Sequence, residues 1–369
     1  MIYFDNAATS FLKPPCVKNA VRRAMEECAS PGRGGHGPAD RGAEKVYACR
    51  ELAGEFFSCQ PEQVVFTMNA THGLNMAISS LVSPGGRVVI SGFEHNAVLR
   101  PLHALDAEIH VAGKKLFDPA NTLEGFARLI TEDTQCVICT HVSNVFGYIL
   151  PVKEISALCR ERDVPFILDA SQSAGVLPVG FRETPADFIA MPGHKGLYGP
   201  QGTGLLLCGR LPKPLICGGT GSLSREKEMP DFLPDRGEAG TQNVPGICGL
   251  AMGIRFVKKQ GLHRIFQHER RLCKILASGL NDLPGYKPFL APDPLQTGVL
   301  SVAVGEDCES FAQWLAERDV AVRAGLHCAP LAHESAGTLE TGTVRFSPSI
   351  FTTQEQAREL LWLIRRKSR

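Results

Sequence analysis

Short apolar runs alternate with longer amphipathic stretches from Glu62 onward. The apolar runs have the length of buried strands, and the amphipathic stretches, such as residues 152–162, repeat apolar residues with the spacing of one helix face. This alternation is typical of a mainly parallel sheet covered by helices, so the pattern predicts an α/β fold. The predicted strands are residues 63–66, 87–91, 108–111, 136–141, 165–169, 187–190 and 204–207.

The same pattern divides the chain into a large unit and a smaller one. Pro14 and Pro15 predict a helix over residues 16–28, and residues 211–240, rich in glycine, proline and charge, predict a long functional loop or subunit contact. After residue 246 a long helical pattern reaches about residue 280. Strands at 298–304, 320–323 and 343–346 and helices at 309–317 and from 353 follow. We expect a large unit from residues 16–245 and a smaller α/β unit from residues 246–369, which the N-terminal segment 1–15 joins.

Composition narrows the classes of partner and compartment. Hydrophobic residues make up 44% and charged residues 21% of the chain, with 39 basic and 38 acidic residues. This balance argues against nucleic acid or an anionic membrane as a partner. We expect no secretory signal and no membrane span, and the odd count of 13 cysteines indicates free thiols in a reducing, cytoplasmic compartment.

Cys136 and Cys139 form the single C-x-x-C motif, which lies within a predicted strand. Residues three apart on a strand point to opposite faces, so the two thiols are not expected to share a metal ion. Core packing is the better interpretation, and we predict no metal site.

Lys195 and Asp169 are the first candidates for chemistry. Lys195 lies in the glycine-rich segment 191–196, and Asp169 ends a predicted strand 26 positions earlier. Pyridoxal phosphate (PLP) enzymes use a lysine amine that forms a Schiff base with the aldehyde and a carboxylate that keeps the pyridine nitrogen protonated. The alternatives are a helix N-cap for Asp169 and a solvated surface charge for Lys195.

Two predicted helix starts add to this interpretation. Ala70 and Thr71 begin a helix after a strand, where backbone N–H groups could bind a phosphate. His95 begins another helix and could stack on a cofactor ring or act as an acid or base. An ordinary capped helix and a structural histidine are the alternatives. The glycine-rich run 32–37 matches no nucleotide-binding motif, and the roles of Arg33 and His36 stay open.

Together these segments carry a family resemblance. In chain order they are residues 3–9 (Tyr-Phe-Asp-Asn-Ala-Ala-Thr), 69–71 (Asn-Ala-Thr), 94–95 (Glu-His), 141–144 (His-Val-Ser-Asn), 169–172 (Asp-Ala-Ser-Gln), 193–195 (Gly-His-Lys) and 238–241 (Glu-Ala-Gly-Thr). Over essentially its whole length the chain resembles the cysteine desulfurases of the class V aminotransferase family, which are fold type I PLP enzymes.

The resemblance implies a role for each site residue. It implies PLP as cofactor and a large domain with a mainly parallel sheet, followed by a smaller C-terminal α/β domain. Lys195 would form the Schiff base and move the α-proton, and His95 would stack and assist protonation. The other implied cofactor contacts are Ala70, Thr71, Asn144, Asp169, Gln172, His194 and Thr241. Asn144 and Arg345 would bind the substrate, Arg345 through its carboxylate, although a surface arginine on an edge strand is the alternative. Thr241 would reach the phosphate in the partner subunit of a homodimer.

Two positions depart from the family pattern. Pro192 stands where relatives often have a Ser or Thr hydroxyl that contacts the phosphate, and His72 replaces a common acidic residue. Neither departure removes a group that the chemistry requires. Their effect on the affinity for PLP stays open.

Cys328 directs the expectation toward sulfur. Its surroundings, residues 323–329 (Arg-Ala-Gly-Leu-His-Cys-Ala), resemble the group II (Suf-like) desulfurases and the selenocysteine lyases. His327 or Arg323 could favour the thiolate, whereas an inert core thiol is the alternative. We expect conversion of L-cysteine to L-alanine with a persulfide on Cys328. The sulfur would then pass to an acceptor, such as a sulfur-acceptor protein, that the sequence does not identify. A selenocysteine lyase, a class V aminotransferase or other PLP lyase, and a PLP-binding regulator are the alternatives.

Overall fold

The computed structural model describes residues 1–32 and 34–367. The strands are β1 (Ile2–Tyr3), β2 (Val64–Thr67), β3 (Arg87–Ser91), β4 (Glu108–Ala112), β5 (Thr134–Thr140), β6 (Phe166–Asp169), β7 (Phe188–Pro192), β8 (Gly204–Cys208), β9 (Tyr286–Pro288), β10 (Leu300–Val304), β11 (Val320–Ala321), β12 (Arg323–Gly325) and β13 (Thr343–Phe346). The helices are α1 (Pro15–Glu27), α2 (Gly37–Phe57), α3 (Ala70–Leu81), α4 (Asn96–Ala104), α5 (Pro119–Leu129), α6 (Val152–Glu161), α7 (Val244–Gln260), α8 (Leu262–Asn281), α9 (Cys308–Ala316), α10 (Pro330–Ala336) and α11 (Gln354–Lys367).

Seven strands form the large sheet in the order β2-β8-β7-β6-β5-β3-β4. Strand β8 is antiparallel to both neighbours, and the other six strands point the same way. Every residue of β2, β6, β7 and β8 is buried, because apolar clusters cover both faces of the sheet. Burial on two faces explains why these strands are continuous apolar runs in the sequence. The predicted α/β class with a mainly parallel sheet is confirmed.

The helices depart from the sequence pattern at several places, and the short helix α10 is one of them. The single helical pattern expected up to residue 280 is two helices, since the chain turns at Gly261 with φ of 82°. Helix α2 was not predicted. Its buried face consists largely of small residues, among them Ala39, Gly42, Ala53 and Gly54, and so lacks the large apolar repeat by which a helix is recognised.

Cys136 and Cys139 lie on opposite faces of the large sheet. Cys136 packs with Val88 and Ile90 in one apolar cluster, whereas Cys139 packs in the other cluster. The prediction that the two thiols serve as core packing on separate faces is confirmed, and the period of two in a strand is the reason.

A second, antiparallel sheet has the order β12-β13-β10-β9, and the short strand β1 pairs with β11 in parallel. Phe4 packs with Phe311 and Phe346 in the apolar cluster of this sheet. The expected boundary at 245/246 lies within α7, whose Ile247 and Leu250 pack in the core of the large sheet. We therefore propose that the small unit begins after α7 and includes the first residues of the chain.

Within the described residues, no helix has the length and apolar character required to cross a membrane.

Gly253 gives a test of how α7 supports the segment after Lys195. A Cβ at Gly253 would lie 2.1 Å from the carbonyl oxygen of Leu197, a backbone atom with little freedom to move. Gly253→Ala should lower the free energy of unfolding by about 1–2 kcal/mol, because this clash outweighs the higher helix propensity of alanine. Denaturant unfolding measures the change. The control Gly219→Ala, where the Cβ meets no atom within 4 Å, should leave the stability unchanged; equal stability of both variants would contradict the packing argument.

Candidate active site

The carboxyl ends of the parallel strands bring the candidate residues to one edge of the large sheet. His95 follows β3, Asn144 follows β5, Asp169 ends β6, and Lys195 follows β7. These strands are neighbours in the sheet and point the same way, so their ends meet at a single edge, where ligands bind in open α/β sheets. The structure therefore brings together four residues that lie up to 100 positions apart in the sequence.

The amine of Lys195 has a lowered pKa. Burial lowers its pKa to about 8, and the positive charge of Arg345 adds to the effect while the carboxylate of Asp169 opposes it. Lys195 is only partly exposed and burial lowers its pKa, so the alternative of a fully solvated surface lysine does not fit the structure. A larger fraction of neutral amine at neutral pH suits a lysine that must react with an aldehyde.

The N-terminal segment fixes the backbone next to Lys195. The carbonyl oxygen of His194 accepts hydrogen bonds from the amide (3.1 Å) and hydroxyl (2.9 Å) of Ser10 and from the amine of Lys13 (2.9 Å). The imidazole Nδ1 of His194 lies 3.0 Å from the hydroxyl of Thr9. His194 thus anchors the start of the chain in this structure, and its expected cofactor contact stays a prediction.

Asp169 is 2% exposed and its Oδ1 accepts a hydrogen bond of 2.9 Å from the amide of Ser171. No helix begins there, because the next residues form turns, so the N-cap alternative is wrong. Among the described residues, Asp169 forms no salt bridge. A buried carboxylate is costly without a cationic partner, and a protonated ring nitrogen would supply one. The residue therefore fits the expected pyridinium.

His95 caps α4, with its Nδ1 accepting a hydrogen bond of 3.0 Å from the amide of Ala97. Burial, followed by the charge of Lys195, lowers the pKa of His95 to about 4. The ring is therefore neutral at physiological pH, and because Nδ1 accepts, the ring proton is on Nε2. A neutral imidazole can lie beside a cofactor ring without placing a second positive charge next to the amine of Lys195.

Glu94, to which the sequence assigned no role, connects two strand ends beneath this site. Its Oε1 accepts hydrogen bonds from the hydroxyl of Ser91 and from the amide of Thr140 (2.8 Å), so it joins the ends of β3 and β5. Burial raises the pKa of Glu94 to about 8. A protonated Glu94 adds no negative charge at these strand ends. The spacing of Ser91 and Glu94 at the end of β3 is the local feature that could have indicated it.

Ala70 and Thr71 are the first residues of α3. The side chain of Asn69 caps this helix by accepting a hydrogen bond of 2.9 Å from the amide of His72. Capping leaves the amides of Ala70 and Thr71 at the helix start, where the positive end of the helix dipole favours an anion. The predicted helix start is confirmed, and phosphate binding by these amides stays a prediction.

Gln172 and Lys195 line one small cavity together with Ala7 and Ser10. The side-chain amide of Gln172 donates a hydrogen bond of 3.0 Å to the carbonyl oxygen of Ala7. The N-terminal segment therefore also fixes Gln172, whose contact with the cofactor ring stays a prediction.

Arg345 is 2% exposed and lies on β13, between β12 and β10. The alternative of a surface arginine on an edge strand is therefore wrong. Its Nη1 donates to the carbonyl oxygen of Asn144 and its Nη2 to the carboxylate of Asp5, each at 2.9 Å. Its Nε is buried without a hydrogen-bond partner among the described residues. This unpaired donor fits the expected contact with a substrate carboxylate, which stays a prediction.

Cys328 is exposed in a loop that two backbone contacts hold against the site. The amide of Asn96 donates a hydrogen bond to the carbonyl oxygen of Cys328 at 2.8 Å. The side-chain amide of Asn144 donates one to the carbonyl oxygen of His327, also at 2.8 Å. His327 and Cys328 have φ of 52° and 57°, a left-handed conformation that non-glycine residues rarely adopt. The loop is thus fixed in an unusual conformation next to His95, and the alternative of a core thiol is wrong.

His327 does not supply positive charge to Cys328. Burial, followed by the charge of Arg345, lowers the pKa of His327 to about 2, so its ring is neutral. The ring stacks on His333 with 5.7 Å between ring centres. The neutral ring of His327 thus offers no positive charge to the thiolate, and the expectation that His327 or the exposed Arg323 favours the thiolate stays a prediction.

Three other candidates lie outside the cluster around Lys195 or outside the described residues. Thr241 is exposed and lines a cleft with Met68 and His72 of the same chain. His36 caps α2 through its Nδ1, which accepts from the amide of Ala39. Arg33 lies outside the described residues.

Known proteins resemble the chain over its full length. A model of the family "aminotransferase class-V" matches residues 2–360. A Pyrococcus abyssi protein named probable cysteine desulfurase is 31% identical, with 99% of this chain and 93% of that protein covered. A protein of the same name from Methanothermobacter thermautotrophicus is 30% identical, with 96% and 92% covered.

A solved structure has the same fold. The apo cysteine desulfurase of Thermococcus onnurineus NA1 superposes with a TM-score of 0.88 at 29% identity, and the match covers 100% of this chain and 94% of that one. The expected fold type I class is thereby confirmed. The chain belongs to the aminotransferase class-V family.

Proposed function

We propose that the protein is a PLP-dependent cysteine desulfurase, which converts L-cysteine to L-alanine and takes the sulfur onto Cys328. One observation carries the proposal. The amide of Asn96, the residue directly after His95, donates a hydrogen bond of 2.8 Å to the carbonyl oxygen of Cys328. An exposed thiol is therefore held beside the residues that fit the cofactor. The relatives named as cysteine desulfurases support the same activity.

The described residues fit PLP by their chemistry. Lys195 would hold the aldehyde carbon, Asp169 the ring nitrogen, and the amides of Ala70 and Thr71 the phosphate. The neutral ring of His95 would lie against the cofactor ring, and Gln172 and His194 would contribute further contacts. When bound, PLP supplies an electron sink for carbanionic chemistry at the substrate amino acid.

Arg345 would bind the substrate carboxylate through its free Nε, and Asn144 would add a contact. The guanidinium is already fixed by Asn144 and Asp5, so it loses little conformational freedom when the substrate binds. With its pKa near 8, Lys195 can both accept the α-proton of the substrate and return it at neutral pH.

The sulfur step requires the thiolate of Cys328. Its Sγ attacks the sulfur of the substrate, the substrate Cβ–S bond breaks, and the bonding electron pair remains with Cβ. A proton then completes the methyl group of alanine, and Cys328 carries the persulfide. Exposure of Cys328 would allow an acceptor thiol or protein to take the sulfur.

We further propose a cytoplasmic homodimer in which Thr241 completes the site of the partner subunit. Thr241 is exposed, and it follows the long segment 211–240, which has few regular elements. All 13 cysteines are free, which agrees with a reducing compartment.

Replacement of Cys328 tests the reaction. Cys328→Ser should reduce alanine formation from L-cysteine to background, because the hydroxyl cannot accept sulfur, and should leave the PLP absorbance intact. Alanine is measured together with protein-bound persulfide. Cys217→Ser, at another exposed cysteine, is the control and should retain activity. Full turnover of L-cysteine by Cys328→Ser would contradict the proposal. If Cys328→Ser still turns over selenocysteine but not L-cysteine, and the wild-type enzyme prefers selenocysteine, the selenocysteine lyase is favoured.

The pKa of Lys195 predicts how the apoprotein captures PLP. Since burial disfavours the charged amine, the rate of covalent capture should rise about tenfold per pH unit below pH 8 and become constant above it. Stopped-flow absorbance measures the rate, and borohydride reduction with peptide mapping identifies the lysine. Lys195→Ala should show no fixed cofactor. A rate that rises beyond pH 9 would indicate an ordinary exposed amine.

Hybrid dimers test the position of Thr241. Thr241→Val should weaken PLP binding about tenfold, since one hydrogen bond to a charged phosphate is lost. A hybrid of one Thr241→Val subunit and one Lys195→Ala subunit, purified with two tags, retains one Lys195. If Thr241 acts across the interface, this site should bind PLP with wild-type affinity. Weak binding in the hybrid would show that Thr241 acts within its own chain.

A further inference from the structure

Among the described residues, Asp5 is the one that compensates the charge of Arg345 through a salt bridge. The carboxylate of Asp5 accepts a hydrogen bond of 2.9 Å from Nη2 of the guanidinium, and the two groups form a salt bridge. The side chain of Arg345 is 2% exposed and that of Asp5 is 20% exposed. A charge-assisted hydrogen bond at this depth fixes the orientation of a planar guanidinium more firmly than a contact in solvent.

The backbone around Asp5 is held on both sides. The amide of Phe4 donates to Ala321 (2.8 Å), and the amide of Asn6 donates to the carbonyl oxygen of Ser347 (3.1 Å). The amide of Ser347 in turn donates to the carbonyl oxygen of Phe4 at 2.7 Å. Asp5 therefore approaches Arg345 from a fixed backbone, although the two residues are 340 positions apart.

The charges near this contact suit one further carboxylate. Arg323 lies directly opposite Arg345 in the pairing of β12 and β13, and like charges in such positions repel each other. Asp5 compensates one of these two positive charges. Among Arg323, Arg345 and Asp5, one net positive charge remains, which suits the single carboxylate of a neutral amino acid.

Among the described residues, Nη1 and Nη2 of Arg345 already have acceptors and Nε has none. If Asp5 were absent, the guanidinium could turn, and the amino acid would have to order it at a cost in affinity. An opposite effect is also physically possible, because a nearby anion can repel the incoming carboxylate. The two effects change the affinity in opposite directions, so an experiment can separate them.

We propose that Asp5 is a positioning residue for amino-acid binding: it holds Nη2 of Arg345 so that Nε remains the free donor for the substrate carboxylate. This inference rests on the proposed role of Arg345. It assigns to the N-terminal segment a part in substrate affinity, beyond its contacts with the backbone of His194.

The test compares Asp5→Ala and Asp5→Asn holoenzymes with wild type. We expect Asp5→Ala to raise KM for L-cysteine about tenfold with kcat within about twofold, because a hydrogen bond between charged groups is lost from the bound state. Asp5→Asn, which keeps an acceptor oxygen, should raise KM less. Calorimetry should show the same order in the Kd of L-alanine, whereas the Kd of ethylamine, which is alanine without the carboxylate, should not change.

Asp319→Asn is the matched control. Asp319 forms a salt bridge with the N-terminal amine, at the other end of the same segment, and does not touch Arg345. The KM of the Asp319→Asn enzyme should therefore equal that of wild type. An unchanged or lower KM and alanine Kd in the Asp5 variants would overturn the proposal. An equal loss of ethylamine binding would also overturn it, since that result indicates general damage. If Asp5→Ala fails to fold, the direction of change in Asp5→Asn decides. The alanine titration does not require desulfuration, so it remains decisive if wild type binds alanine but fails to turn over cysteine.

Discussion

A single buried guanidinium joins the three parts of the chain that form the candidate site. Arg345, on the small sheet, donates to Asp5 in the N-terminal segment and to Asn144 at the carboxyl end of β5. Asn144 in turn holds the backbone of His327, next to Cys328. A buried arginine without these acceptors would be strongly destabilising, so the contacts fix the small unit, the first residues and the cysteine loop relative to the large sheet.

Burial sets the charge states within this arrangement. It lowers the pKa values of Lys195, His95 and His327, each in the neighbourhood of the positive charge of Arg345. The pKa of the Lys195 amine thus falls to about 8, while both imidazoles are neutral. Positive charge therefore remains on Arg345, where a substrate carboxylate would bind, with the carboxylate of Asp5 paired to it.

The strands of the large sheet were predictable because most of them are buried on both faces and have turns at their ends. All seven appear within a few residues of their expected bounds, and the separation of Cys136 from Cys139 followed from strand geometry alone. Helix α2 was not predictable from an apolar repeat, since small residues form its buried face. The N-terminal contacts of Asp5, Ser10 and Lys13 join residues about 180 to 340 positions apart, which local patterns do not encode.

The sequence by itself determined the α/β class, the family and the residue types needed at the site, because strand periodicity and motif order are local properties of a chain. Tertiary structure alone decided which alternatives hold for individual residues. Whether Arg345 lies on an edge or in the interior, and whether His327 is charged or neutral, depends on burial by segments that are distant in the chain. Desolvation and charge pairing are properties of that packing, and they become defined only when the small unit, the N-terminal segment and the large sheet meet.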